Sequence, residues 1–266
     1  MTRASFNDVH LWQFDRLSAE PGIRHFVTDR ASGGQGEFTL SYSSTPDKEA
    51  VRHNRAMVAG ALGIPAAQLF LPSQVHKTRI LEVTVHTTKA ELMETDALMT
   101  DHPGIGIAVM SADCVPILIY DRKHAAVGAV HSGWRGTVAR ILEKTLQAMQ
   151  ARYGTRGEDV LAAIGPSASQ DSYEVGEEVI NEVNHAFGKD SGGLLIPQPV
   201  AISAAGKPEN KAKLDLWKAN TLQLREFGVP DSAIEISDLC TVKNNSHFFS
   251  ARKGDSGRFA AGIVLI

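Results

Sequence analysis

Cysteine is scarce: the 266 residues hold two, Cys114 and Cys240. Two cannot build a disulfide framework, and a bridge between them is not expected in a reducing compartment. An excess of basic charge is also missing. Lys and Arg number 27 against 30 Asp and Glu, a net charge of −3, which excludes a nucleic-acid binder working by bulk charge. No uncharged apolar stretch approaches the roughly 20 residues that cross a bilayer. Residues Met1 to Phe14 carry acidic and polar groups where a signal peptide has its apolar centre. Internal repeats and low-complexity tracts are absent too. The expectation is a cytoplasmic protein that engages neither nucleic acid nor membrane. With 43% hydrophobic and 21% charged residues, the chain is ordinary globular material. Its length favours one layered domain over residues 1–266.

Periodicity supplies the elements. Thr45-Pro46 reads as an N-cap and first helical position, followed by Val51, Met57, Val58, Ala61 and Leu62 and closed by Gly63. Ile80 to Val85 is rich in strand-forming residues. In the centre, Ile105 to Met110, Val115 to Tyr120 and Ala125 to Val130 are short, nearly uncharged runs, read as strands buried on both faces. Pro116 puts the second run at a sheet edge or at the start of a strand. Val138, Ile141, Leu142, Thr145, Leu146 and Met149 follow helical spacing up to Gly154. A strand at Val160 to Ile164 and a helix near Gly176 to Phe187 come next, then a Gly- and Pro-containing excursion, Lys189 to Lys213, that reads as a loop or a lid. Leu214 to Phe227 outlines a helix; Ile234 to Ile236 and Ala261 to Ile266 are late strands. Strands and helices do not alternate strictly, which favours α+β.

Only Asp121-Arg122-Lys123-His124 separates the second and third central strands, so they form an antiparallel hairpin. A turn centred between Arg122 and Lys123 sets Cys114 opposite His131, side chains on one face. The pair alone leaves three readings open: a packed structural pair, a Cys nucleophile activated by His, or two ligands of a metal site that needs one more. Beyond His131, Ser132-Gly133-Trp134-Arg135-Gly136 leads into a helix whose N-terminus, with Arg135, suits an anion. Asp113 adds a carboxylate beside Cys114.

Ser73-Gln74-Val75-His76, Ser111-Ala112-Asp113-Cys114-Val115-Pro116 and His131-Ser132-Gly133-Trp134-Arg135-Gly136 together resemble the signatures of the zinc-dependent purine nucleoside phosphorylases, a family long described as a multicopper polyphenol oxidase or laccase domain. Further similarity runs through Ile164-Gly165-Pro166, Tyr173-Glu174-Val175-Gly176, Asp215-Leu216 with Asn220, Cys240-Thr241, and Phe248-Phe249-Ser250 with Arg252, Gly257 and Arg258. The resemblance implies one zinc on His76, Cys114 and His131. It implies a four-layered α+β fold like that of the cytotoxic necrotizing factor deamidases. It also implies phosphorolysis of adenosine, inosine, guanosine and methylthioadenosine, with adenosine deamination. The chain departs from the pattern at Lys77 (usually Gly), at Leu40-Ser41-Tyr42 (Leu-Asn-Leu), at the spacing of Arg30, Gly33 and Gly34, and at Ser250-Ala251-Arg252-Lys253 (Ser-Tyr-Arg-Arg). The resemblance implies that these positions lie on substrate walls rather than on the metal triad.

A His₂Cys zinc with an open position polarises a substrate or acidifies water. Phosphorolysis also needs an anion site, for which Arg30, Arg135, Arg252 and Arg258 are the candidates. Asp113 is a candidate catalytic acid/base or, preferred slightly, the partner of a ligand histidine. His86, His102, His124 and His185 fall outside every motif. Purine nucleosides and phosphate are the expected partners of a monomer or homodimer. A copper oxidase is the first rival, although the ten histidines contain no His-x-His pair of the kind that feeds a trinuclear copper cluster. A metal-free Cys/His hydrolase and a metal-stabilised binding module are the others.

Overall fold

The three uncharged central runs all become strands, the first in one sheet and the last two as neighbours in another. The computed structural model describes residues 1–6, 8–33, 37–202 and 208–266, and forms strands at Gly106–Ser111, Val115–Asp121 and Ala126–Ser132. Every residue of the last two is buried, which is why both faces of these runs are apolar. They pair antiparallel, but with Pro116 opposite His131 and Asp121 opposite Ala126. The expected pairing of Cys114 with His131 is therefore off by two residues. The cause is local. Asp121 Oδ1 accepts the N–H groups of Lys123 and His124 at 3.0 and 3.1 Å, and Ala125 takes φ 47°, closing the loop one residue later. Because the slip is even, Cys114 and His131 stay on one side of the hairpin. Pro116 stands near the start of its strand, which is central and not at an edge.

Two six-stranded sheets stack at the core. The first runs Thr2–Phe6, Val9–Gln13, Ile23–Thr28, Phe259–Leu265, Gly106–Ser111, Leu69–Phe70, and the second Ile234–Ile236, Val160–Ile164, Val115–Asp121, Ala126–Ser132, Ala97–Thr100, Ile80–Glu82. Alternation along the strands assigns the faces. Ile107, Val109, Phe259, Ala261 and Ile263 pack in one cluster with Ile117, Ile119 and Val130 of the other sheet. Their neighbours Ala108, Ala260 and Val264 pack outward against Val58, Ala59 and Leu62 of the helix Lys48–Leu62. On the far side of the second sheet lies the helix Ile141–Tyr153. Gly128 makes room for it, since a Cβ there would stand 3.2 Å from the Met149 sulfur. Helix, sheet, sheet and helix make the expected four-layer α+β sandwich.

Helix ends differ from expectation where side chains compete. Asp47, not Thr45, caps the first long helix by accepting the Ala50 N–H at 2.9 Å; Gly63 ends it at φ 71°. The helix expected from Val138 onward is two, Trp134–Val138 and Ile141–Tyr153, broken at Arg140 with φ 60°. Gln223 spans the break: its amide donates to Thr137 O at 3.1 Å and accepts the Glu143 N–H at 3.3 Å. The excursion after Lys189 is partly structured, with Leu195–Pro197 and Lys211–Leu214 pairing antiparallel and Glu174–Gly176 joining them. Residues 203–207 of the lid segment lie outside the described residues, as does Gly34. Among the described residues, no helix is long and apolar enough to cross a membrane.

One buried histidine ties stability to pH. His25 is 2% exposed, and its Nε2 accepts the Phe14 N–H at 2.7 Å, which needs an unprotonated nitrogen. Burial drives this imidazole down from 6.5 to about 4. The unfolded chain therefore takes up a proton near pH 6.5 that the native state refuses until about pH 4. Its contribution is complete above the upper value and drains away as pH falls through the window, by up to about 3 kcal/mol. Denaturant unfolding at pH 7.5, 5.5 and 4.5 is expected to show this slope in the wild type and not in His25→Gln. Parallel slopes would show that His25 is not its source.

Candidate metal centre

Three separate segments meet at one end of the sandwich. Cys114 ends the loop between Gly106–Ser111 and Val115–Asp121. That loop is held by Ser111 Oγ donating to Cys114 O at 2.6 Å, and it passes through Asp113 at φ 91°. His131 is the penultimate residue of its strand. His76 lies on the loop after Leu69–Phe70, at φ 60°. Gln74 fastens that loop to the first sheet: its amide donates to Met110 O at 2.8 Å and accepts the Met110 N–H at 2.7 Å.

One ligand-type atom from each of His76, Cys114 and His131 lies within 4.8 Å of the others, and among the described residues this is the one group of its kind. Cys114 Sγ is 4.0 Å from His76 Nδ1, and the imidazole centroids are 4.8 Å apart. His131 turns its Nδ1 to Asp96 Oδ1 at 2.9 Å, leaving Nε2 for the cluster. Burial alone would raise the Cys114 thiol, but the charge and hydrogen bonding of His131, helped by His76, bring it down to about 6. For His131 burial opposes protonation, and Cys114 and Asp96 outweigh it, lifting the imidazole to about 9. Together the two shifts describe a thiolate beside a protonated imidazole, whose proton a metal ion at the cluster would displace.

The donor set passes a test of fit. A thiolate and two imidazoles are typical zinc donors, and Gly133 leaves the space between them open. A Cβ on Gly133 would stand 2.9 Å from both Cys114 Sγ and His76 Nδ1. The three residues could hold one metal ion, and all three line a cavity of about 430 Å³.

The cavity sorts the other candidates. Arg252 and Arg258 line it together with Ser41, Ser43, Gln74 and Tyr173. Arg252 lies over the Tyr173 ring at 4.4 Å and donates to Glu174 O at 2.8 Å. Arg258 donates to Ser256 O and Gly257 O at 2.8 and 2.7 Å. Arg30 is not part of the lining; it pairs with Asp255 at 3.3 Å and with Glu37, over the Phe249 ring. Arg135 is also outside, exposed, stacked on Trp134 and 3.6 Å from Glu178. Its helix, Trp134–Val138, has only five residues.

Asp113 lines the cavity but does not partner a ligand histidine, contrary to the preferred expectation. Its Oδ1 accepts from Thr241 Oγ1 at 2.6 Å and its Oδ2 from the Arg252 N–H at 2.8 Å. The histidine's partner is Asp96, which no motif pointed to. A signal was present: an aspartate next to the buried run Ala97–Thr100 requires a partner of its own.

The sandwich and its cluster define a class: an α+β protein of the cytotoxic necrotizing factor deamidase-like fold with a His-Cys-His site able to hold a metal. Residues 24–266 match the family model described as multi-copper polyphenol oxidoreductase laccase. A Bacteroides thetaiotaomicron protein named purine nucleoside phosphorylase is 39% identical over 97% of both chains. A protein of unknown prokaryotic origin named adenosine deaminase RL5 is 32% identical, covering 96% of this chain and 98% of its own. The crystal structure of YlmD from Geobacillus stearothermophilus superposes with a TM-score of 0.77 at 29% identity over 92% of each chain. Bacillus licheniformis YfiH, at 24% identity and 99% coverage of each chain, shares the fold with a TM-score of 0.86. The chain belongs to this laccase-described family, in which curated relatives are named purine nucleoside phosphorylases.

Proposed function

We propose that this protein is a zinc-dependent purine nucleoside phosphorylase that also deaminates adenosine. The observation that carries the reading is the sharing of one cavity by the His76–Cys114–His131 cluster and two arginines, Arg252 and Arg258. The names of the similar proteins support the same two activities. Adenosine, inosine, guanosine and methylthioadenosine form the proposed substrate range.

In phosphorolysis a phosphate oxygen forms a bond to C1′ while the C1′–N9 bond breaks and the purine leaves with the electron pair. A zinc bound at the cluster would supply Lewis-acid polarisation of a substrate atom. The chain's own groups do the rest. Arg252 and Arg258 offer forked donors to phosphate, giving local positive charge to a molecule whose net charge is −3. Tyr173, beneath Arg252, keeps that guanidinium at the cavity wall. Asp113 ties the Arg252 backbone N–H and the Thr241 hydroxyl to the Cys114 loop, and we assign it this positioning task. Arg30 and Arg135 are assigned no substrate contact.

The test is product analysis of pure zinc-loaded protein incubated with adenosine, with and without phosphate. Adenine and ribose 1-phosphate are expected only with phosphate, and inosine with ammonia in its absence. No turnover of any purine nucleoside would defeat the reading. A second reading, a metal-free Cys/His hydrolase, is favoured by the depressed Cys114 thiol; it requires activity in zinc-free protein.

A further inference from the structure

We infer that Asp96 is the positioning residue of the metal centre, one carboxylate that sets both histidines before a metal arrives. This rests on reading the His76–Cys114–His131 cluster as a metal centre. Asp96 is 0% exposed. Its Oδ1 accepts the His131 Nδ1–H and the His76 N–H, both at 2.9 Å. Its Oδ2 accepts the N–H groups of Lys77 at 2.9 Å and Val75 at 3.2 Å. A carboxylate offers about four lone-pair positions, and these bonds use them all.

Each bond has a consequence for a ligand. The carboxylate holds a proton on His131 Nδ1, so Nε2 is the nitrogen turned to the cluster. Three successive backbone N–H groups converging on one anion form a nest, which holds His76 at φ 60°. That conformation costs a non-glycine residue about 1 kcal/mol and needs a compensating anchor. Asp96 is itself anchored from both sides, its C=O accepting the His131 N–H at 2.8 Å and its N–H donating to Arg79 O at 3.0 Å. The two histidines approach the cluster through different nitrogens, His76 by Nδ1 and His131 by Nε2.

Two measurements test this. Zinc affinity, read by competition with a chromophoric chelator, is expected to fall about 10- to 100-fold in Asp96→Asn, because an amide has one acceptor oxygen for two sets of donors. A change under threefold in a folded variant would overturn the inference. A wild type that binds no zinc would instead overturn the metal reading. Long-range ¹H–¹⁵N spectra of metal-free wild-type protein supply the second readout, independent of metal and of whether the variant folds. They are expected to show a proton held on His131 Nδ1 whether or not Nε2 also carries one; a bare Nδ1 or averaged nitrogen signals would overturn the role of Asp96.

Discussion

Gly133→Ala is expected to empty the metal centre while leaving the fold in place. Gly133 has φ −73° and ψ 174°, a backbone region open to every residue. The substitution therefore carries no backbone strain, and removing a glycine lowers unfolded-state entropy by an amount worth about 0.4–1 kcal/mol. Its cost is confined to the site. The new methyl would stand 2.9 Å from both Cys114 Sγ and His76 Nδ1, and 3.6 Å from His76 Cε1. The cluster must spread to admit it, and a displacement near 1 Å at a reacting centre costs about 100-fold in rate. Bound zinc should drop below about a tenth of an equivalent, since the placement of metal-binding side chains tolerates only roughly 0.5 Å of error. Metal analysis, nucleoside turnover and melting of the metal-free proteins measure the three effects. A Gly133→Ala protein with one zinc and wild-type turnover would show that this space is not the metal's.

Cys114 separates ligand from nucleophile. As a ligand it must be deprotonated but need not attack anything, so Cys114→Asp, which offers an oxygen donor, is expected to keep some zinc. Its turnover should be about 10- to 100-fold below wild type, like other perturbations of ligand environment. A nucleophilic cysteine could not be replaced this way, because aspartate cannot form a thioester-type intermediate. Cys114→Ala is expected to fail under both readings and serves as the baseline. Zinc content and adenosine turnover measured together decide: Cys114→Asp retaining zinc but no activity above the Ala baseline would favour the nucleophile.

The sequence made Cys114 and His131 legible as neighbours because parity survives an error in register. The error came from Ala125, whose positive φ no periodicity announces, and it was even, so the shared side was kept. His76 could be joined to them only by family resemblance, since its loop is aimed by contacts more than 15 residues away in sequence, to Asp96 and Met110. Asp96 stood out only as an aspartate beside an apolar run; its partners were not legible, because most are backbone N–H groups, which leave no residue-type signature. The α+β class was readable from the irregular order of strands and helices and the four layers only from the family resemblance, while the break at Arg140 was not readable, because Gln223 bridges it from another helix. Among the arginines, sequence spacing could not tell Arg252 and Arg258, which reach the cavity, from Arg135, which turns to Glu178.

The central claim is that the His76–Cys114–His131 cluster works as a zinc centre for purine nucleosides. Its most direct test is a chelator titration of wild-type protein, with bound zinc and phosphate-dependent adenosine cleavage followed in the same samples. Activity is expected to fall in proportion to occupancy of one site per chain and to return when zinc is added back. Undiminished cleavage by protein stripped of metal would contradict it.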